Sequence, residues 1–272
     1  MFKEERMRLL LSHLERERQL RVGDAAELFG VSESTIRLDL QELEERGMVQ
    51  RTHGGAILTS SARNSTLKYE TLKLDERLVE NRDAKMAIGR MAADLIQDGE
   101  TIMIDGGSTA RYAAFFLRYK KRLTIVTHIV DIYPDLIGMD SDCRVILPGG
   151  VLDQANMILT GEEAPLIISH YRASKAILGI DGISLSMGLT TQEVQAPLKK
   201  AMMACSDQVI IVADSSKLGR VSLVPVAALA DIDVLVTDDR ADSQIIREIE
   251  ARGVKVVMAF CDSKRDANLY SL

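Results

Sequence analysis

The chain has 272 residues, enough for a small domain joined to a medium one, with 46% hydrophobic and 27% charged residues as in ordinary globular proteins. No apolar run approaches the ~20 residues of a membrane span, and the charged start Met-Phe-Lys-Glu-Glu-Arg lacks the core of a secretion signal. A cytoplasmic protein with no membrane partner is therefore expected. Cys143, Cys205 and Cys261 are scattered, giving neither a disulfide framework nor a zinc-ligand pair, so no metal or cofactor is expected. The net charge is −6, and residues 1–60 carry nine Lys/Arg against eleven Asp/Glu, so no basic footprint of a nucleic-acid binder is visible.

Residues 3–18 read as an amphipathic helix, with Met7, Leu10, Leu11 and Leu14 on one face. Leu20 and Val22 alternate with polar neighbours, as in a short extended piece. A short helix from Asp24 to Phe29 should stop at Gly30. Ser32 is a good N-cap for a third helix running to about Arg46, whose buried face carries Ile36, Leu40 and Leu43. Met48 to Leu58 read as two short strands around Gly54-Gly55. This is helix-turn-helix spacing followed by a wing, with the helix-turn-helix at about 20–39. The third helix would enter a major groove. Its outward side carries Ser34, Thr35, Arg37, Leu38 and Gln41 beside the Ser32 cap, while Arg51, Thr52 and His53 lie on the wing. The hydroxyls suit a phosphate; Arg37 can take a phosphate or fork onto guanine, and Gln41 could pair with adenine. From spacing alone a protein-binding three-helix module fits as well.

Residues 59–74 are expected to be a linker, its first half Thr-Ser-Ser-Ala-Arg-Asn-Ser-Thr being polar. One helical stretch follows, from about Leu72 to Ile96. Strands at Thr101–Asp105, Leu123–Thr127, Arg144–Leu147, Ala176–Ile180, Val209–Ala213, Val234–Thr237 and Lys255–Ala259 then alternate with helices. Near-continuous runs such as Val-Ile-Ile-Val-Ala suit strands covered on both faces. The fold class is thus α/β: a small N-terminal winged helix-turn-helix (3–58) and a doubly wound, mostly parallel α/β domain (75–260) whose ligands sit beyond the carboxyl ends of the strands.

Three strings fall at such strand ends. Asp105-Gly106-Gly107-Ser108-Thr109-Ala110 leaves a strand and opens a helix, which suits an anion held by backbone N–H groups, Ser108 and Thr109. A tight turn with a helix cap explains it equally well. Asp181 in Gly-Ile-Asp-Gly can accept sugar hydroxyls or cap a turn. Lys217 in Asp-Ser-Ser-Lys-Leu-Gly offers a compact positive charge to a phosphate, or a salt bridge to Asp214. His128 and Gly150 end two more strands and are candidates for the same crevice.

The string at residues 31–56, Val-Ser-Glu-Ser-Thr-Ile-Arg-Leu-Asp-Leu-Gln-Glu-Leu-Glu-Glu-Arg-Gly-Met-Val-Gln-Arg-Thr-His-Gly-Gly-Ala, closely resembles the helix-turn-helix signature of the DeoR family of sugar-metabolism regulators, over about residues 3–58. Where the family usually carries a second arginine, this chain has Leu38, which bears on the operator sequence read. The strand-end strings resemble the same regulators' effector domain over roughly residues 75–257. That domain shares its fold with ribose-5-phosphate isomerase; Ile104–Ala110 looks like the isomerase phosphate loop and Ile211–Leu218 like its lysine-bearing strand end. The resemblance implies a repressor of a carbohydrate operon, partnered by double-stranded operator DNA and a phosphorylated sugar. Its DNA site would be Ser32, Ser34, Thr35, Arg37, Leu38, Gln41, Arg51 and His53, and its effector site Asp105, Gly107, Ser108, Thr109, His128, Gly150, Asp181 and Lys217.

The rival is an isomerase with a DNA-binding appendage. Isomerisation needs a base at the C2 proton and a polarising group at the carbonyl. The isomerases carry Asp-Gly-Ala-Asp and a lysine before the next glycine-rich stretch. Here Ser184 stands at the second aspartate, no lysine lies between Asp181 and Gly188, and Glu193 is a stray carboxylate, so no catalytic residue is expected. A single helix-turn-helix reads few base pairs, so a homo-oligomer, dimer or tetramer, is expected.

Overall fold

The computed structural model describes residues 19–45, 49–52, 54–58, 74–132 and 142–261, with 6, 7, 10, 13, 14 and 136 besides. Leu11, Arg46, His53 and the expected linker apart from Leu74 lie outside the described residues. The chain divides into two units, Met1–Thr71 and Leu72–Leu272. Among the described residues no helix is long and apolar enough to cross a membrane.

In the first unit, Arg6, Met7, Leu10, His13 and Leu14 are helical. Strand β1 (Gln19–Arg21) runs directly into helix α1 (Val22–Phe29), so Val22 opens the helix rather than extending the strand. Gly30 stops α1 in the left-handed region, at φ 63°, where a side chain would be strained. Helix α2 (Glu33–Glu45) follows, then strands β2 (Val49–Thr52) and β3 (Gly55–Leu58). The three strands form an antiparallel sheet in the order β1-β3-β2, the wing. Met7, Leu10 and Leu14 pack with Leu20, Ala25, Ile36, Leu40, Leu43 and Val49 in one apolar core. Beside that core the Arg6 guanidinium grips Asp39 with two hydrogen bonds, Nε to Oδ2 at 2.6 Å and Nη2 to Oδ1 at 3.1 Å, and both residues are buried. The pair fixes the rotation of α2 about its own axis, and so which side chains face outward.

In the second unit, helices α3 (Leu74–Val79) and α4 (Arg82–Asp94) replace the single stretch expected over 72–96. Asn81 sits between them at φ 51°, a left-handed conformation that helical apolar spacing does not betray. The main strands are β4 (Thr101–Ile104), β5 (Thr124–Thr127), β6 (Arg144–Ile146), β9 (Ala173–Gly179), β12 (Ser206–Val212), β14 (Val234–Asp238) and β15 (Lys255–Ala259). They form one seven-stranded sheet in the order β15-β14-β12-β9-β4-β5-β6, and every pairing is parallel. Side chains alternate between two cores. Ile102, Ile104, Ile210 and Val212 meet α4 and helix α5 (Ser108–Phe116) on one face. Met103, Ile211 and Leu235 meet helices α6 (Glu163–Ile168), α7 (Ala196–Ala204) and α8 (Ser243–Glu250) on the other. The sheet is doubly wound, as the apolar strand runs require.

Two smaller β elements complete the unit. Strands β7 (Val151–Asp153) and β8 (Ile158–Thr160) form a hairpin, and β10 (Gly182–Ser184), β11 (Gly188–Thr191) and β13 (Val224–Ala227) an antiparallel sheet. The strand order reverses between β4 and β9, which places the crevice of a doubly wound sheet at their carboxyl ends.

The Arg6–Asp39 pair gives a test of what orients α2. Arg6→Met leaves a buried carboxylate without its partner and should cost the first unit about 3–5 kcal/mol in urea unfolding. The double variant Arg6→Met/Asp39→Leu should regain most of that loss.

Candidate functional site

The outward face of α2 is built from its first turn. Ser32 caps the helix: its Oγ accepts from the Thr35 amide at 3.2 Å and shares hydrogen bonds with Ser34 Oγ and Thr35 Oγ1, at 2.7 and 2.8 Å. Three hydroxyls therefore cluster where the helix N–H groups and dipole favour an anion. Ser32, Ser34, Arg37, Leu38 and Gln41 are exposed and Thr35 is half-buried, while Ile36, Asp39 and Leu40 face inward. Leu38 is 65% exposed, a large apolar side chain on the outward face. Arg37 is held by Glu33 one turn back, Nη2 to Oε2 at 2.6 Å. On the wing, the amide and guanidinium of Arg51 both meet the Glu44 carboxylate. Six of the proposed DNA contacts, the Thr35 hydroxyl among them, thus share the α2 face, and Arg51 lies on β2. His53 lies outside the described residues.

The second site starts from Asp105, buried where β4 ends. Its Oδ2 accepts from Lys199 Nζ at 2.6 Å, from the Gly179 amide at 3.0 Å and from the Gly107 amide at 3.2 Å. Lys199, on α7, also donates to the Gly179 carbonyl at 2.9 Å. One carboxylate therefore gathers the β4 loop, the end of β9 and a helix from the opposite face of the sheet. Burial alone would push the Asp105 carboxyl up, but Lys199 and the Gly179 N–H override it and hold it below the usual carboxylate range. His128 Nε2 stands 3.7 Å from the other oxygen, Oδ1. Burial pushes that imidazole down to about 4, against the pull of Asp105, so it is neutral at pH 7.

Gly106 is pressed between His128 and the β8 residue Ile158. A Cβ there would lie 2.4 Å from Ile158 Cγ2, so no other residue fits without moving the hairpin. Gly107 then caps α5, leaving Ser108 half-exposed and Thr109 buried in its first turn. Arg111 follows one turn on, its amide donating to the Gly107 carbonyl and its guanidinium paired with Asp131.

Along the sheet edge, Asp181 accepts from Thr191 Oγ1 at 2.7 Å. Lys217 ends the single 3-10 turn Ser215–Lys217 that Asp214 caps through the Ser216 amide. Burial lowers the Lys217 ammonium to about 8, although Asp214 and Asp181 pull it up; Arg220 and Lys85 push it the same way as burial. Asp105 thus meets both Gly107 and His128, Ser108 and Thr109 continue the loop, and Asp181 and Lys217 face each other electrostatically. Gly150 stands apart, exposed at the entry to β7 beside Thr160 and Ala164.

Sequence reasoning missed two buried lysines. Lys199 lies on the inward face of α7, in register with Ala196 and Met202. Lys85 lies on that of α4, in register with Ile88 and Ala92. A lysine in an apolar register was the signal, since it is buried only with partners. Among the described residues of this unit, the buried charged side chains are Arg77, Lys85, Arg111, Lys199 and Lys217 with Asp105, Asp214 and Asp238. Asp238, Asp239 and Cys261 bring donor atoms within 4.8 Å of one another, but both Asp238 oxygens already accept from Ser215 and one from Arg240.

A capped helix with a polar outward face, backed by a three-stranded wing, defines a winged helix-turn-helix protein of the DNA-reading class. The DeoR-like helix-turn-helix domain matches residues 6–62 and the DeoR C-terminal sensor domain residues 80–239. The chain belongs to the DeoR family of transcriptional regulators. It is 31% identical to the HTH-type transcriptional repressor GlcR of Bacillus subtilis, over 98% of this chain and 100% of that one. It is 33% identical to the HTH-type transcriptional regulator GlpR of Haloferax volcanii, over 87% and 90%. It is 34% identical to the glycerol-3-phosphate regulon repressor of Escherichia coli, over 79% and 82%. Among solved structures, ribose 5-phosphate isomerase A from Methanocaldococcus jannaschii superposes with a TM-score of 0.37 at 16% identity, over 51% of this chain and 55% of that one.

The His128 environment carries a pH signature. Its folded-state pKa, about 4, lies below the ordinary value of 6.5, so between those pH values the unfolded chain binds more protons. Stability should fall as pH drops from 6.5 to 4, by on the order of 3 kcal/mol. Urea midpoints across that window should show it, and His128→Gln should flatten the slope.

Proposed function

We propose that the protein is a cytoplasmic repressor of a carbohydrate operon, holding operator DNA through α2 and releasing it when a phosphorylated sugar enters the β4/β9 crevice. The observation that carries the DNA half is the α2 face: three clustered hydroxyls at a helix start, then Arg37, Leu38 and Gln41, all presented by the Arg6–Asp39 lock. Ser32, Ser34, Thr35 and Arg51 fit phosphates, and His53 would join them from the wing. Arg37 and Gln41 fit base edges, and Leu38 offers apolar contact to a thymine methyl where the family more often has a guanidinium. Names of relatives support the repressor role and its sugar-linked operons.

The effector half rests on the glycine loop itself, where the half-exposed Ser108 and the first N–H groups of α5 stand at a helix start. Such a helix start suits an anion. Ser108, Thr109 and the first N–H groups of α5 would take the phosphate, with Lys217 as counter-charge and Asp181 accepting a sugar hydroxyl. Asp105 and His128 would act from behind. Gly107 is pinned by Asp105, and the imidazole braces Gly106. Gly150 would reach a ligand only if the sugar extends toward β7.

Ligand binding without turnover is the better reading of this crevice. Ser184 Oγ accepts from the Ser186 and Met187 amides, stabilising a turn, and Glu193 is exposed, so no carboxylate pair faces the crevice from these positions. A homo-oligomer would supply the second recognition helix. Val145, Leu147, Val151, Leu152 and Leu166 are exposed apolar side chains of the second unit available to it.

Specific operator binding should weaken steeply with salt in a gel-shift titration. Arg37→Ala should abolish it and leave sugar-phosphate binding, whereas Lys217→Ala should remove the response to sugar phosphates. A Lys217→Ala protein that still releases operator normally would refute the crevice assignment. Lys217 supplies a second, pH-based test. With its pKa at about 8, the empty site loses charge above that pH while a bound phosphate favours the charged form. Affinity for glucose 6-phosphate or another responding sugar phosphate should therefore fall as pH rises through 8, and binding at pH 8 should take up protons in calorimetry.

A further inference from the structure

The six-residue helix α3 is too short to hold its shape alone in water, so what holds it is informative. Its polar backbone groups are satisfied from outside. Lys85 Nζ donates to the Arg77 carbonyl at 2.5 Å and to the Glu80 carbonyl. Tyr112 Oη donates to the Leu78 carbonyl at 2.9 Å, and the Leu74 amide donates to the Ala155 carbonyl at 3.3 Å. The Arg77 guanidinium reaches Asn156 Oδ1 at 2.5 Å. Tyr112 lies on α5, which the glycine loop opens. Ala155 and Asn156 form the turn of the hairpin whose Ile158 presses on Gly106. Each of these elements borders the crevice.

The last tether is Asn81. Its Nδ2 donates to Asp214 Oδ1 at 3.2 Å, on the loop that carries Lys217. That oxygen also accepts from the Ser216 amide at 3.1 Å and from Ser216 Oγ. The two serine bonds move with the loop, and the Asn81 bond is the longest and the one that crosses to another element. Arg77 Nε, Glu80 Oε2 and Asp214 Oδ2 are buried there without hydrogen-bond partners, a junction that gains little by staying as it is.

We propose that Asn81 is a positioning residue of the effector response, tying the Asp214–Lys217 loop to α3 until an anion at Lys217 breaks the tie. The inference rests on the sugar-phosphate reading above. An anion beside Lys217 removes the positive field that Asp214 enjoys and repels its carboxylate, so Asp214 turns and gives up its weakest hydrogen bond. The segment Leu74–Asn81, through which the chain enters the α/β unit from the DNA-binding unit, then loses one of its anchors and loosens at its carboxyl end. Occupancy thus reaches the linker through one side-chain amide.

Hydrogen exchange on the full chain, with inorganic phosphate and with glucose 6-phosphate as probes, tests this. Bound probe should slow amides 106–110 and 215–218, yet speed amides 77–82 by about three- to tenfold, the factor one ordinary hydrogen bond gives. Asn81→Gly tolerates the left-handed backbone and removes the side chain with its amide; its amides 77–82 should exchange at the ligand-loaded rate without any probe and accelerate no further. Asn81→Asp, which sets a carboxylate against Asp214, should behave alike and serves if the glycine variant is poorly folded. Protection at 106–110 with unchanged or slower exchange at 77–82 overturns the coupling while leaving the ligand site intact. If neither probe protects 106–110, the sugar-phosphate reading fails and this one falls with it.

Discussion

A parallel sheet that reverses its winding leaves a gap where neighbouring strands send their chains to opposite faces, and something must hold the two exits together. Here it is the Asp105 carboxylate. Oxygen Oδ2 binds the Gly107 amide on one exit, the Gly179 amide on the other and the Lys199 ammonium from α7 beneath. Without Lys199 the carboxylate would be a buried charge facing two amides; without Asp105 the lysine would be a buried cation facing one carbonyl. Such a pair is a weak source of net stability, because desolvation consumes most of the Coulomb gain. Its contribution is registration. The glycine loop keeps its shape because its backbone is held from below.

The same device recurs in the first unit at a smaller scale. Arg6 and Asp39 are buried together, and an apolar pair of similar volume could fill that space. An apolar pair would allow α2 to roll, since hydrophobic contact is non-directional. Two hydrogen bonds in a fixed fork do not. A helix that presents side chains to base edges needs its rotation set, so a directional lock in that core follows from the task assigned to α2.

The main sheet was legible because its signal is redundant: seven short apolar runs, each bounded by turn residues, admit few other arrangements. The three-residue strands β7, β8 and β10 carry no such signal, since a run that short fits any conformation. Asn81 hid for a different reason. Apolar residues spaced for a helix continue on both sides of it, so the break between α3 and α4 is written in one backbone angle rather than in a pattern. Of the candidate site, Gly107, Ser108, Asp181 and Lys217 stand out in the sequence because they follow apolar strand runs. For the helix residues Lys85 and Lys199 the apolar register announces burial, but not their partners, which depend on the order of the strands. The acidic balance of residues 1–60 misled in the same way: charge summed along a sequence says nothing of its placement, and Asp39, Glu33 and Glu44 are each occupied by an arginine.

Those internal pairs bear on affinity for an anionic polymer. Arg37 and Arg51 are held by Glu33 and Glu44 at half-exposed positions, where such pairs contribute little to stability. Phosphate oxygens can compete for both guanidiniums at small cost, but the displaced glutamates remain nearby and repel the backbone. Non-specific affinity is thereby lowered, while a site that satisfies Gln41, Leu38 and a forked Arg37 together retains its advantage. On the proposed induction scheme, a slightly acidic DNA-binding unit would give up overall affinity for discrimination, a useful exchange in a chain that has to leave DNA when a small ligand binds.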